Sequence, residues 1–235
     1  MATAQPALGP NEGKDLTIDV DGARWERLPV RTHVVHGDDD LAAVIERYAA
    51  PHLRGGDLLF MSERMVAITQ GRAHPIASIR PSRLARFLVR FVYKSPYGIG
   101  LGSPWTMELA LREVGRARIL LAAVVAALTK PFGVRGMFYR IAGRQAAAID
   151  GPTANTLPPY NEYATLGPAD PDAAARALAE RFGCGVVIID ANDLGVDVLG
   201  RSSRGIDAGF ARAVFADNPL GQSRQQTPLC IVRAG

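Results

Sequence analysis

Short apolar runs alternate along the chain with segments of helical periodicity. Alternating or unbroken apolar residues predict strands at residues 16–20, 58–61, 186–189 and 229–232. Apolar residues at helical spacing, each time preceded by a capping side chain, predict helices that begin after Asp40, Ser103 and Asp170. Short strands interleaved with capped helices, without a regular βαβ alternation, indicate an α+β fold with mixed sheets.

The pattern defines other segments less sharply. Residues 62–71 continue the second predicted strand, while residues 83–94 and 206–215 have the spacing of amphipathic helices. Residues 119–128 are almost entirely apolar and fit either a buried helix or a pair of strands. Pro29 lacks a backbone N–H, so the extended piece at residues 27–30 is not expected to be a central strand.

Composition narrows the class of protein. A chain of 235 residues fits one large domain or two small intertwined ones. The net charge of +4 favours anionic ligands slightly. No block of basic residues interleaved with aromatics is present, so a nucleic-acid partner is not expected. Cys184 and Cys230, the only cysteines, are expected to be free thiols because nothing marks the chain as secreted.

The N-terminal residues and the apolar runs indicate where in the cell the protein is expected to be located. Residues 1–15 have no apolar core, which excludes a signal peptide and predicts a disordered leader before a domain at residues 16–235. The longest apolar run, residues 119–129, has about half the length needed to span a bilayer. We therefore expect a cytoplasmic protein without a membrane partner.

Two aspartates follow apolar runs and are candidates for chemistry. Asp150 follows AAAI and Asp190 follows VVII, so both are predicted to lie at strand ends. Carboxylates at the ends of separate strands can converge on one cation, and Asn155, Asn192 and Asp193 add nearby oxygens. A site with only hard oxygen ligands predicts Mg²⁺ or Mn²⁺. The alternative is that each aspartate simply closes a turn.

Several familiar signatures are absent from the sequence. There is no GxxxxGK[ST] phosphate loop, and Gly98, Gly100 and Gly102 do not form the GxGxxG of a dinucleotide site. Neither GxSxG nor HExxH occurs, which weighs against a serine esterase and a zinc peptidase. His33 and His36 could lie near one another, but a solvated turn is favoured over a metal pair.

The order of segments resembles the coenzyme F420 gamma-glutamyl ligase family across nearly the whole chain after the leader. The pieces that carry the resemblance are LPVR (28–31), GDDDLAAVI (37–45), GGDLLFMSERMVAITQGR (55–72), GLGSPWTMELALREVGR (100–116), KPFGVRGMFYRIAG (130–143), AIDGPTAN (148–155), VVIIDANDLG (186–195) and GQSRQQTPLCIVR (221–233). No single piece is diagnostic, but eight pieces in the right order are hard to obtain by chance. The resemblance implies an intertwined two-domain subunit and a homodimer.

The resemblance also implies an activity. The family joins glutamate to a substrate carboxylate with GTP, which implies an acyl phosphate, attack by an amine and two divalent cations on the phosphates. The implied metal ligands are Asp150, Asp190 and Gln222, with Asn192 or Asp193 as substitutes for a lost hydroxyl. The residues implied to line the nucleotide, GTP or ATP, are Leu28, Pro29, Val30, Arg31, Ser62, Glu63, Asn155, Leu220, Gly221, Gln222, Ser223, Arg224, Gln225, Gln226 and Thr227.

Two positions depart from the family pattern. Ile68 replaces a lysine expected to contact phosphate, and Ala191 replaces a threonine hydroxyl expected at the metal. These changes predict an amide ligase with altered substrates rather than the F420 enzyme itself. Two alternatives stay open: a nucleotide- and metal-binding relative without catalysis, and a metal-dependent phosphohydrolase.

Overall fold

The computed structural model describes residues 8–92, 99–134, 136–153, 156–192, 195–221 and 225–235. The chain divides into two compact units. Unit 1 combines Met1–Gly71 with Pro168–Gly235, and unit 2 is the intervening segment Arg72–Gly167. Unit 1 is therefore built from both ends of the chain.

The helices and strands follow one another in a mixed order, which confirms the α+β fold. In chain order they are β1 (Thr17–Val20), β2 (Ala23–Val30), α1 (Leu41–Tyr48), β3 (Leu58–Ser62), α2 (Glu63–Thr69), β4 (Ala73–Pro75), α3 (Arg83–Leu88), α4 (Pro104–Glu113), α5 (Arg116–Thr129), α6 (Met137–Ala142), α7 (Arg144–Ala147), β5 (Tyr163–Thr165), α8 (Pro171–Phe182), β6 (Gly185–Asn192), β7 (Gly195–Arg201), α9 (Ala208–Val214) and β8 (Leu229–Ala234). Short 3-10 turns lie at Ala50–His52, Ile76–Ser78, Val89–Phe91, Lys130–Phe132 and Tyr160–Glu162.

Unit 1 is centred on a mixed six-stranded sheet with the strand order β1-β2-β8-β3-β6-β7. β3 pairs in parallel with β6 and antiparallel with β8, while β2 is antiparallel to β8. An apolar cluster joins one face of the sheet to α9, and Phe60 stacks on Phe215 at its centre with ring centroids 4.5 Å apart. The β-branched residues of β6 supply much of this buried surface.

Unit 2 combines a small antiparallel sheet, β4–β5, with helices α3 to α7. Its core gathers apolar side chains from most of these helices and from the segment after α7, among them Leu88, Met107, Leu111, Ile119 and Ile149. Residues 119–128, which fitted a helix or two strands, are helical within α5. In the part of the chain that the structure describes, no helix is long and apolar enough to cross a bilayer.

The local capping signals are confirmed. Asp40 accepts from the N–H of Ala42 at the start of α1, and Asp170 accepts from Ala173 at the start of α8. Ser103 forms a capping box with Thr106 in α4. Each cap satisfies a backbone donor that the first turn of a helix leaves unpaired. The starts of these helices could therefore be predicted from the sequence.

The predicted strand at residues 62–71 is wrong, because Glu63–Thr69 forms the helix α2. Met65, Val66, Ala67 and Ile68 are all buried there. A helix buried on all sides shows no apolar stripe at helical spacing. Its sequence therefore resembles the continuation of a buried strand.

The expectation for Pro29 is also wrong, since β2 lies inside the sheet between β1 and β8. β1 pairs with β2 only over residues 23–26, whereas Pro29 faces Cys230 of β8. The proline therefore has a strand neighbour on one side only. A missing N–H on the other side leaves no partner unpaired.

Candidate functional site

The candidate site in unit 1 is one edge of the six-stranded sheet. β2, β3 and β6 run in the same direction and end at this edge, where β8 begins. In register, Val30 and Met61 both face Leu229, and Ser62 faces Ile189. The chain that continues from each strand therefore carries its polar side chains to the same edge.

Three segments predicted to line the nucleotide meet at this sheet edge. The N–H of Thr32 donates to the carbonyl of Gln226 at 3.0 Å, and Arg31 Nη2 donates to Gln226 Oε1 at 3.4 Å. The N–H of Ser62 donates to the carbonyl of Pro228 at 2.8 Å. The segments at 28–31 and 62–63 are thus neighbours of the described residues 225–228.

The loop after α9, described at residues 217–221 and 225–227, is held by hydrogen bonds within it and from Asn11. Thr227 Oγ1 donates to the carbonyl of Leu220 and accepts from Asn11 Nδ2, each at 2.8 Å. Gly221 has φ 76°, and a Cβ there would lie 2.5 Å from Gln225 Cδ. Close approach and a left-handed backbone both favour glycine at this position. Gln222, Ser223 and Arg224 lie outside the described residues.

The second half of the predicted leader contacts the same loop. Asn11 Nδ2 also donates to the carbonyl of Pro219 at 2.7 Å, and Lys14 Nζ donates to the carbonyl of Asp217. Residues 11 and 14 therefore help to hold the loop in unit 1.

Asp190 does not end its strand, which corrects the sequence interpretation. β6 continues to Asn192, and Asp190 faces Asp197 of β7 in the antiparallel register. β7 was not predicted, and neither was the placement of Asp197 beside Asp190. Asn192 Nδ2 donates to Asp190 Oδ1 at 3.4 Å, so these two side chains share a face of the strand. Asp193 lies outside the described residues.

The two positions that depart from the family pattern are both filled by packed apolar side chains. Ala191 packs against the apolar cluster beside α9, on the face opposite Asp190. Ile68 is 5% exposed within α2. Asn192, not Ala191, therefore shares the face of Asp190, and Ile68 belongs to the core.

Asp150 lies in unit 2. The strand predicted before it is wrong, because Arg144–Ala147 forms the short helix α7; alanine favours helix, and this run lacks the β-branched residues of VVII. The exposed Asp150 exchanges both backbone hydrogen bonds with Thr165, at 2.9 Å each. Asn155 lies outside the described residues.

A polar cluster that the sequence did not predict follows β2. His33 Nε2 lies 2.9 Å from Asp39 Oδ2, and His33 Nδ1 lies 3.1 Å from the hydroxyl of Tyr48. Burial alone would raise the pKa of Asp39, but hydrogen bonds from the N–H of His36 and from His33 outweigh it and lower the pKa. His33, through its ring, and His36, through its backbone N–H, are thus linked by the same carboxylate oxygen.

The described residues include two of the predicted metal ligands of unit 1, Asp190 and Asn192. No group of three or more His, Cys, Asp or Glu side chains among the described residues is arranged to hold an ion. Mg²⁺ commonly uses one or two carboxylates and completes its shell with water and substrate phosphates. The oxygens of Asp190 and Asn192 fit that kind of site, in which much of the coordination comes from the ligand.

One comparison with known proteins matches most of the chain, including most of the residues described above. The model of the family described as F420-0:Gamma-glutamyl ligase matches residues 29–227. The match spans both units and includes Asp150, Asp190 and most of the sheet-edge segments. A search of curated proteins found no match.

Proposed function

The chain belongs to the F420-0:gamma-glutamyl ligase family, and on that premise we propose that it is a nucleotide- and metal-dependent amide ligase. Family membership itself indicates a ligase that acts on a carboxylate and an amine. The finer proposal is that GTP or ATP activates the carboxylate as an acyl phosphate. An amino acid such as glutamate, or another amine, then attacks it.

The chemistry has two balanced steps. A carboxylate oxygen first takes the γ-phosphoryl group, and the nucleoside diphosphate leaves. The amine nitrogen then attacks the acyl carbon, inorganic phosphate leaves and the nitrogen loses a proton. Activation is needed because a carboxylate anion is a poor electrophile, and charge on the transferring phosphoryl group must be stabilised.

The observation that carries this proposal is the meeting of three segments at the sheet edge of unit 1. Arg31 brings a guanidinium beside Gln226, and arginine suits phosphate oxygens because its donors form a planar fork. Ser62 ends β3 opposite Ile189, the residue before Asp190 in β6, and Glu63 begins α2 directly afterwards. Cation, hydroxyl, amide and carboxylate groups are thus available to a phosphorylated ligand.

We propose Asp190 and Asn192 as ligands of Mg²⁺ or Mn²⁺, because both side chains lie on one face of β6 at this edge. Asp150, Asp193 and Gln222 are proposed as further ligands on the family resemblance alone. When bound, the cation would neutralise charge on the phosphates. The protein's part is to present the oxygens and the arginine in fixed positions.

A second candidate is a relative that binds nucleotide without catalysis. The apolar side chains of the buried Ile68 and the partly buried Ala191 favour it, since neither can supply the lysine or hydroxyl of the family pattern. This candidate predicts binding of nucleotide without release of phosphate. A phosphohydrolase would instead release phosphate with no amine present.

Calorimetric titration of GTP and ATP, each with Mg²⁺ or Mn²⁺, tests binding. We expect Asp190→Asn to weaken metal-dependent binding at least roughly tenfold, since a charged ligand to the cation is lost. Asp150→Asn tests the second carboxylate in the same way. Asp19→Asn is the matched control, because this exposed carboxylate lies on β1 and pairs with Arg24 on the neighbouring strand. Binding that is unchanged in Asp190→Asn would exclude the site.

Turnover is measured by phosphate release and by mass spectrometry of the product. Incubation with F420-0 and glutamate tests the family reaction, and other acid and amine pairs test altered substrates. We expect phosphate release to require both an acid and an amine. Release with neither would identify the phosphohydrolase, and binding without release would identify the non-catalytic relative.

A further inference from the structure

The loop after α9 is closed by a side chain from the N-terminal segment. We call its described parts the first arm, residues 217–221, and the second arm, residues 225–227. Asn11 Nδ2 donates to the carbonyl of Pro219 in the first arm at 2.7 Å and to Thr227 Oγ1 in the second arm at 2.8 Å. One amide group therefore joins the two arms.

Thr227 and Asn218 complete this closure. Thr227 Oγ1 donates to the carbonyl of Leu220 at 2.8 Å. Asn218 Nδ2 donates to the carbonyl of Gly221 at 3.2 Å, and the N–H of Gly221 donates back to the carbonyl of Asn218 at 3.2 Å. Thr227 is 8% exposed and Asn218 is 1% exposed. Water therefore competes little for the hydrogen bonds that close the loop.

The backbone of the loop is strained at two residues that are not glycine. Asn218 has φ 48° and Gln226 has φ 57°, and both values lie in the left-handed region that a residue with a Cβ adopts at a cost. Asn218 Oδ1 is also buried without a hydrogen-bond partner among the described residues, which is a second cost. Such strain persists only where surrounding contacts hold it, and it clusters at functional sites.

The strained Gln226 joins the loop to the end of β2. Its carbonyl accepts from the N–H of Thr32 at 3.0 Å, and its side-chain Oε1 accepts from Arg31 Nη2 at 3.4 Å. The next residue, Thr227, is the one that Asn11 holds. The position of Gln226 beside Arg31 therefore depends on closing bonds that lie one residue away.

The segment that carries Asn11 is itself anchored to a buried side chain. Arg27 is 1% exposed, and its Nη2 donates to the carbonyl of Asp15 at 2.8 Å. The same guanidinium pairs with Asp217 at the start of the first arm. Asn11 is thus presented to the loop by an anchored segment, which precedes the residues 29–227 that the family model matches.

We infer that Asn11 and Asn218 are positioning residues, which hold the two arms together and so keep Gln226 beside Arg31. The inference rests on the proposed function, in which Arg31 and this loop bind a phosphorylated ligand. A loop that is already ordered loses less conformational entropy when its ligand binds. Loss of either asparagine should therefore weaken binding through Gln226 and Arg31, and not through a contact of its own with the ligand.

Hydrogen exchange of the full chain without nucleotide, followed by mass spectrometry, tests the positioning role. Asn11→Ala removes both bonds of the closing amide, so peptides that contain the amides of Gly221 and Thr32 should exchange at least roughly fivefold faster. Asn218→Gly still permits a positive φ but removes the side-chain bond to Gly221, and should accelerate the same peptides about threefold. Peptides of β3 should be unchanged, because β3 is paired on both sides within the sheet.

Glu12→Ala is the matched control, because it removes an exposed side chain from the residue next to Asn11. It should exchange as the wild type does. Exchange that is unchanged in both asparagine variants overturns the inference. So does a uniform acceleration that includes β3, since the asparagines would then contribute only to general stability. If one variant fails to fold, the other decides the question.

Calorimetric titration of GTP with Mg²⁺ tests the consequence for binding. We expect the Kd to rise about fivefold in Asn11→Ala, which corresponds to about 1 kcal/mol, and to be unchanged in Glu12→Ala. Faster exchange with an unchanged Kd overturns the role in ligand binding. A wild type that binds neither GTP nor ATP overturns the proposed function instead, and hydrogen exchange still decides whether Asn11 and Asn218 hold the loop.

Discussion

Unit 1 and unit 2 place their charged and apolar side chains in opposite ways. Unit 1 is acidic, and it buries Arg27 and Asp57 in ion pairs with Asp217 and Arg233. Unit 2 is basic and leaves its large apolar side chains open on α5 and beyond. Unit 1 therefore pairs two buried charged side chains with its own residues, whereas unit 2 exposes large apolar side chains to solvent.

The two tryptophans allow this comparison to be measured. Trp25 lies in unit 1, where its ring packs 4.6 Å from that of Phe210, and Trp105 lies in unit 2 at the start of α4. Trp105→Phe leaves a reporter only in unit 1, and Trp25→Phe leaves one only in unit 2. Denaturant titrations of these two parents then give each unit's free energy of unfolding.

The largest expected effect is loss of the buried ion pair in unit 1. Asp57 is 3% exposed and accepts from Arg233 Nε at 3.0 Å, from Arg233 Nη2 at 2.6 Å and from the N–H of Arg54 at 2.8 Å. Asp57→Ala leaves the guanidinium of Arg233 without this partner. We expect the free energy of unfolding reported by Trp25 to fall by about 3–5 kcal/mol.

Asp19→Ala is the control for this prediction. Its ion pair with Arg24 is exposed, with side-chain accessibilities of 68% and 66%. An exposed pair contributes about 0–1 kcal/mol, so the control should change stability little. Equal losses in the two variants would mean that the buried pair is not what sets unit 1 apart.

The next largest expected effect is a loss of stability when a side chain is added at Gly151, which is closely packed in unit 2. A Cβ at this position would lie 2.8 Å from Ile99 Cβ and 3.3 Å from Thr106 Cγ2. Gly151→Ala should therefore destabilise unit 2 by about 1–3 kcal/mol through overpacking, as reported by the neighbouring Trp105. The measurement shows whether the segment that carries Asp150 is held in place by packing against Ile99 and Thr106.

Gly55→Ala is the matched control in unit 1. Nothing lies within 4 Å of a Cβ at Gly55, which is exposed. The control should change stability by no more than about 0.5 kcal/mol. If Gly151→Ala lowers the free energy of unfolding no more than the control does, Ile99 and Thr106 must move to make room for the added methyl group.

The features that could be predicted from the sequence depend on neighbours in the chain. Asp40, Ser103 and Asp170 cap helices whose first turns follow them directly, so the signal and its partner lie within a few residues. The β-branched run before Asp190 is likewise local, and β6 follows from it. The family resemblance, carried by the order of many such pieces, is confirmed over residues 29–227.

The features that were missed depend on distant partners. α2 is buried on all sides by the fold around it, which removes the period that would identify it as a helix. The meeting of Arg31, Gln226 and Ser62 depends on strand pairing across most of the chain. The pairing of Asp190 with Asp197 depends on the register of a hairpin. None of these contacts can be predicted from the local sequence pattern.

The smallest expected effect is a pH dependence confined to unit 2. His74, in β4, is partly buried, and burial lowers its pKa; nearby Arg72 and Arg112 lower it further, while Glu113 opposes them. As the pH falls through 6.5, the unfolded chain therefore takes up a proton before the folded unit does. The free energy of unfolding reported by Trp105 should decline between about pH 7 and pH 5, by less than about 1 kcal/mol.

His74→Gln removes the titrating group, so the difference in stability between the wild type and this variant should shrink as the pH falls. The same two sequences with Trp25 as the reporter serve as the control, because unit 1 does not contain His74. A decline of equal size in both sequences at Trp105 would assign the pH dependence to other groups. A decline that is lost from the Trp105 signal of the variant, but not from its Trp25 signal, would assign the pH dependence to the partly buried imidazole of His74.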